Sequence, residues 1–308
     1  MTSTRLFTSV LSLPLLFVSL ACGQDAKVTE NSTAPPRLLV LVRREIQHGK
    51  ASARQKLETN MARACNKLNV PNYWIDLEPI TGSPEVLSFD PFDSYDHVER
   101  AVDGWNQIYA SHPDLAKTQE EINALLTSER TIVAERRDDL SYREDTVDLS
   151  EARFMRVTEL HFSPGHEGDF VQTFKILNAA YEKTKSEVPW VVYQTSMGSS
   201  SPGFLVFIPL ANLKQNDAIL PWTEGSLEFE GDDDSQQLQQ IVRDTFATSE
   251  SNLYAISPEM SHVAKKFVAN VEPMPGEYAF LKPVQQTVAP RQAVSSESKN
   301  TAGKNADR

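Results

Sequence analysis

The segment Ser83-Pro84-Glu85-Val86-Leu87-Ser88-Phe89-Asp90-Pro91 returns in the second half of the chain as Ser201-Pro202-Gly203-Phe204-Leu205-Val206-Phe207-Ile208-Pro209. Thr127-Ser128-Glu129 with Ile132-Val133-Ala134 matches Thr248-Ser249-Glu250 with Leu253-Tyr254-Ala255 in the same order. Upstream, Gly49, Met61, Ala64 and Lys67 align with Gly165, Leu177, Ala180 and Lys183. The offset drifts from about 116 to about 121 residues, as small loop insertions produce. An internal repeat of this length dominates the fold problem, because whatever one copy forms the other must form too.

Each copy alternates its periodicity in the order βαββαβ. In the first, Leu38 to Ile46 is an apolar, β-branched run and therefore a strand. Gly49 breaks it, and Leu57, Met61, Ala64 and Leu68 then recur at helical spacing over Ser52 to Leu68. Pro71 stops the helix and Tyr73-Trp74-Ile75 opens a second strand. Thr81-Gly82-Ser83-Pro84 turns the chain into a third, Val86 to Phe89. A helical region from Asp96 to Tyr109 resumes after Pro113 through Leu125, and Thr131 to Glu135 closes the unit. The second copy repeats this with strands Phe154–Phe162, Trp190–Thr195, Phe204–Phe207 and Asn252–Ile256, and helices Asp169–Lys185 and Gln236–Phe246. The expected class is α+β: two tandem ferredoxin-like modules, 38–141 and 153–268, joined by a linker at 142–152. A helix layer covers one face of each sheet and leaves the other to be buried, so the two sheets are expected to pair face to face.

The ends differ from this pattern. Residues 1–23 read as a signal peptide, with Arg5 before the apolar stretch Leu6 to Leu20 and small residues Ala21 and Gly23 positioned for cleavage before Gln24. The rival expectation is a lipoprotein acylated at Cys22. Either way the sequence points to export, periplasmic or secreted. Residues 24–37 read as a polar linker and 269–308 as a tail, disordered from about Lys282, since Ser, Gln, Ala and Lys there offer little to bury. The formal charge of −12 repels phosphate backbones and anionic lipid, which argues against nucleic-acid and membrane-surface partners. With Cys22 in a leader, Cys65 has no partner for an intramolecular disulfide.

The strand that ends in Pro164-Gly165 with Phe170 following, the βαββαβ order and the duplication together resemble the dimeric α+β barrel superfamily, from Leu38 to about Val268. That group includes antibiotic-biosynthesis monooxygenase-like proteins, NIPSNAP-like proteins, stress-responsive barrel proteins and haem-handling enzymes. The resemblance implies an intrachain version of a barrel that other members make from two chains. It does not supply a haem ligand set, because the His, Asn, Trp or Arg placements of the haem enzymes do not map onto this sequence.

The densest polar cluster is Glu159-Leu160-His161-Phe162-Ser163-Pro164-Gly165-His166-Glu167. Alternation along a strand puts Glu159 and His161 on the face of Met155 and Val157. The repeat places Arg43 and Glu45 at the equivalent positions, on the face of Leu39 and Leu41. With the two sheets facing each other, Arg43, Glu45, Glu159 and His161 are the candidate catalytic residues, converging on one interior. A histidine beside a carboxylate can shuttle a proton, and His161 and His166 are the candidate ligands for Zn²⁺ or Fe²⁺. The bland alternative is an Arg43–Glu159 salt bridge with strand-end polar residues meeting solvent. Trp74, Trp190 and Tyr193 can line an apolar pocket or serve as strand packing. Cys65 is expected to be buried and inert, Ser199 and Ser200 to be turn residues, and the acidic run Glu228 to Asp234 to be a solvated surface. Two classes of function remain: a non-catalytic barrel that binds a small apolar ligand or a partner protein, and a cofactor-independent monooxygenase or haem-handling enzyme.

Overall fold

The computed structural model describes residues 34–163, 165–219 and 246–263. In the first copy the elements are β1 (Leu38–Ile46), α1 (Ala51–Leu68), β2 (Trp74–Pro79), β3 (Glu85–Phe92), α2 (Tyr95–Ser111), α3 (Pro113–Asn123) and β4 (Leu126–Arg136). The second gives β5 (Phe154–Phe162), α4 (Glu167–Thr184), β6 (Val191–Met197), β7 (Gly203–Leu210) and β8 (Phe246–His262). The closing strands β4 and β8 are longer than their apolar segments suggest, because ladder hydrogen bonds extend through polar residues at both ends. Phe246, expected to end a helix, begins β8. The rest of that expected helix, the acidic run, the leader and the tail lie outside the described residues.

The duplication is visible in the backbone. Gly49 and Gly165, Gly82 and Gly198, and Asn69 and Lys185 all have positive φ, and the members of each pair stand 116 residues apart. The register slips between Glu45 and Ile46 against β4, and between His161 and Phe162 against β8, again at equivalent places. The strands order as β4-β1-β3-β2 in one copy and β8-β5-β7-β6 in the other, all antiparallel. The sheets then join edge to edge, β2 to β8 and β4 to β6, into one closed eight-stranded barrel. Closure pairs the four edges that two separate sheets would expose.

Inward-facing residues fill the barrel in two rings, each strand giving one side chain to each ring. The pairs are Leu39 and Leu41, Ile75 and Leu77, Leu87 and Phe89, Ile132 and Ala134, Met155 and Val157, Val191 and Tyr193, Leu205 and Phe207, and Tyr254 and Ile256. The equivalent Phe89 and Phe207 meet edge to face across the interior, with ring centroids 4.8 Å apart. Val147 and Ala152 of the inter-module linker pack onto this core, so the linker is part of the barrel rather than a loose tether. Tyr193 donates its hydroxyl to Pro36 O at 2.7 Å, while Trp190 lies on the outer face and donates to Leu140 O at 3.1 Å. Both second-strand aromatics therefore pack the core. No helix among the described residues is long and apolar enough to cross a membrane.

Outside the barrel, α1 turns a different face inward from the one its apolar spacing marks. The buried stripe is Arg54, Glu58, Thr59, Met61, Ala62 and Cys65, while Leu57 is half-buried and Leu68 is exposed. The stripe is rotated because charged partners await Arg54 and Glu58 on the sheet, as described below.

Candidate functional site

Beyond the second apolar ring, the inward-facing positions become polar. The next inward residue of β1 is Arg43 and of β5 is Glu159. Their strands stand four places apart in the ring of eight, hence on opposite sides of the barrel. Arg43 Nη1 donates to Glu159 Oε2 across this mouth, and Arg43 Nε and Nη2 donate to Glu85 Oε2 at 2.9 and 2.6 Å. Burial works against the Arg43 charge, but the hydrogen bonds and charges of Glu85 and Glu159 outweigh it and raise the pKa above its ordinary value. Tyr254, just below, is pushed up to about 12 by burial and then by the charge of Glu85.

Glu159 connects this ion pair to a histidine. Its second oxygen, Oε1, lies 3.0 Å from His161 Nε2, and Ser201 Oγ lies 2.8 Å from His161 Nδ1. A carboxylate can only accept, so Nε2 carries the proton and Nδ1 presents a lone pair to the Ser201 hydroxyl. Gly203, paired with His161 across the β5–β7 ladder, makes room for the ring. A Cβ there would come within 2.9 Å of Nδ1 and 2.7 Å of Leu160 O. The result is a continuous chain, Ser201–His161–Glu159–Arg43–Glu85. Beneath it lies a cleft lined by Leu41, Arg43, Val157, Glu159, Leu205 and Tyr254, with a volume of about 20 Å³, room for one water.

Of the four residues expected to converge, three do. Glu45 does not join them: it is exposed at the rim and accepts from Ser128 Oγ at 3.2 Å. The bulge after Glu45 marks the strand end, where the inward face already opens to solvent. His166 lies at the start of α4, 2.8 Å from Asp169 Oδ2. Among the described residues no group of three or more His, Cys, Asp or Glu is placed to hold a metal ion. Nor do the residues present fit haem. Both nitrogens of His161 are engaged, and the described space at the mouth is of water size.

A second polar constellation escapes the strand-face argument. Between α1 and the outer face of the first sheet lie Arg54, Glu58, Arg44, Asp76 and Glu78, with Asp90 of β3 close enough to sense Arg44 and Asp76. Arg54 is 1% exposed and Asp76 2%. Arg54 Nη1 donates to Glu58 Oε2 at 2.5 Å and Nη2 pairs with Glu78, while Arg44 reaches Glu129 at 3.1 Å and Glu58 at 3.8 Å. Trp74 Nε1 donates to Asp76 Oδ2 at 3.0 Å, yet Asp76 Oδ1 and Arg54 Nε have no hydrogen-bond partner among the described atoms. Burial, then the charge of Glu58, pushes Asp76 up to about 8 against the pull of Arg44 and Arg54. Burial likewise pushes the partly buried Asp90 up to about 7.

The repeat itself carried the signal for this layer. Arg44, Arg54, Glu58, Asp76 and Asp90 align with Leu160, Phe170, Phe174, Val192 and Ile208. Those five residues are all 2% exposed or less, and Phe170 stacks on Phe204 at 3.9 Å. One copy is seated on charges, the other on aromatic rings.

The fold is a dimeric α+β barrel, here made by a single chain. Among solved structures, an anthrone oxidase-like protein superposes with a TM-score of 0.52 at 14% identity, covering 76% of this chain and 97% of that one. The chlorite dismutase of Candidatus Nitrospira defluvii superposes with a TM-score of 0.43 at 8% identity, covering 75% and 94%. No family model and no curated protein matches the sequence.

Proposed function

We propose that the chain is an acid–base catalyst of the cofactor-independent oxygenase kind, with His161 as its base. The observation that supports this is the Ser201–His161–Glu159–Arg43 chain at the mouth of an otherwise apolar barrel. A substrate hydroxyl or acidic C–H group that displaces the Ser201 hydroxyl would lose its proton to Nδ1. Glu159 would stabilise the resulting imidazolium, and Arg43 would hold the Glu159 carboxylate in position. An electron-rich aromatic carbanion made this way can reduce dioxygen directly. A methylene then becomes a carbonyl and one molecule of water leaves, so the atoms balance with oxygen as the only co-reactant.

An anthrone, the substrate named for the structural neighbour, is the first compound to test; far larger than the one-water cleft, it would have to lie over the mouth rather than within it. Oxygen uptake above the solution background, lost in His161→Ala and reduced in Glu159→Gln, is the expected result. Uptake equal to background across a set of anthrones and acidic phenols would overturn the proposal. It would leave the second reading, a non-catalytic barrel that holds a small apolar ligand or a partner. Within that alternative the two filled rings favour a partner over an interior ligand, which would have to displace core side chains. Export is part of either version and rests on the leader-like first 23 residues.

A further inference from the structure

The charged layer under α1 is a separate matter from the mouth, and its charges do not sum to zero. Arg44 and Arg54 bring two positive charges. Glu58, Asp76, Glu78 and Asp90 bring four carboxyl groups, and Glu129 approaches Arg44 from the solvent side. The layer is enclosed by α1 above, β1, β2 and β3 below, and Met260 and Ser261 of β8 at the side. Met260 Sδ accepts from Arg54 Nη2 at 3.8 Å, and Ser261 Oγ accepts from Asp76 N at 2.9 Å. Tyr109 of α2 is the further titratable group that senses Arg44, with Cys65 of α1 beside it, and both stay neutral because burial raises their pKa values. His262 of β8 is turned away, toward Asn66 and Val70.

Two arginines neutralise two carboxylates, so the enclosed layer is balanced only when the other two carboxyls hold protons. Uncompensated charge in a site this dry is expensive, and the protein can avoid the cost by protonating or by opening. We propose that this layer is a proton-operated latch: α1 seats fully on the first sheet while Asp76 and Asp90 carry protons, and loosens as the surroundings lose acidity. In the second copy α4 turns its own Phe170 and Phe174 inward, with Phe170 stacked on Phe204 of β7, and has no such dependence.

The direction follows from linkage. A carboxyl whose pKa is raised in the seated state gives up its proton when the helix lifts and the group meets water. The latch is therefore tightest in acid, weakens as pH rises above the ordinary carboxylate range, and levels off once pH has passed 7 to 8. Each carboxyl steepens the opening equilibrium by up to about tenfold per pH unit in that range.

The test is hydrogen exchange on the full chain between pH 5 and pH 9, with the intrinsic rate corrected at each pH. Amide protection in α1 should fall at least about tenfold between pH 5 and pH 8 and then flatten, while α4 changes little. Asp76→Asn/Asp90→Asn should flatten the α1 profile. Parallel profiles for α1 and α4 in the unmodified chain would overturn the latch without any variant. An undiminished α1 step in the double variant would do the same.

Discussion

Arg43 and Glu159 hold each other across the barrel mouth from equivalent positions of the two copies, 116 residues apart. Each is about one-fifth exposed, so the pair is neither a surface salt bridge nor a sealed one. Removing the arginine is the more damaging change. Arg43→Met leaves Glu85 and Glu159 facing each other without a counter-charge, at a cost of about 3 kcal/mol near pH 7. Glu159→Gln keeps Glu85 on the guanidinium and should cost about 1 kcal/mol. Urea midpoints near pH 7 separate these outcomes, and equal losses for the two variants would contradict the bridging role.

The β4–β6 seam depends on a glycine. Gly198 has φ +81°, and a Cβ there would lie 2.0 Å from Thr131 O on the facing strand. Gly49 has a similar φ, +77°, but nothing within 4 Å of the same position. Gly49→Ala should cost about 1 kcal/mol from the backbone alone. Gly198→Ala should cost several times more, because the backbone of one seam strand must move. Thermal melts of the two variants check this, and similar shifts would mean the seam yields easily.

Acid should weaken the contact of β8 with the C-terminal end of α1, opposite in sign to the carboxyl layer under its first turns. His262 is 2% exposed, with Nε2 donating to Val70 O at 2.8 Å and Nδ1 2.7 Å from the Asn66 amide. A neutral ring is satisfied when Asn66 turns its amide nitrogen toward Nδ1. Burial holds the pKa of His262 below the ordinary 6.5, so the unfolded chain binds the proton first as pH falls. Its stabilisation is complete above about pH 6.5 and is lost as pH drops below that value. His262→Gln should show a shallower loss of stability between pH 7 and pH 5 in denaturant titrations. A slope unchanged by the substitution would assign the acid sensitivity elsewhere.

The charges beneath α1 should be costly to break singly and cheaper to remove together. Arg54→Leu strands Glu58 in a dry site, with an expected loss of about 3 to 5 kcal/mol. Arg54→Leu/Glu58→Leu should lose less than Arg54→Leu alone, a coupling that a double-mutant cycle measures. Additive losses would mean that the two side chains act independently.

Export predicts a mature chain that begins near Gln24. Intact-mass measurement of protein recovered from outside the cytoplasm distinguishes cleavage there from acylation at Cys22, which adds the mass of its lipid. Full-length protein confined to the cytoplasm would refute both.

Much of this architecture was legible because the repeat tied each ambiguous segment to a clearer counterpart. Val86–Phe89 is a weak strand alone, but Phe204–Phe207 is not. Alternation on β1 and β5 also located Arg43, Glu159 and His161, since strand faces follow from sequence parity. Ser201 was out of reach, because its contact with His161 depends on the β6–β7 turn folding back beside β5. Helix faces are harder for the same reason. The inward stripe of α1 follows its charged partners on three strands, and apolar spacing alone cannot reveal Arg54 and Glu58 as buried. Aligning the copies position by position exposes them, since each faces a phenylalanine in its counterpart.

The mouth pair also governs how separated halves would assemble. Two identical first halves closing on each other would bring one Arg43 against another, and two second halves would bring Glu159 against Glu159. Like charges at that spacing oppose such pairings, whereas a first half meeting a second half restores the attraction. Fragments cut between the modules should therefore select each other over themselves, a preference that covalent linkage in the intact chain makes automatic.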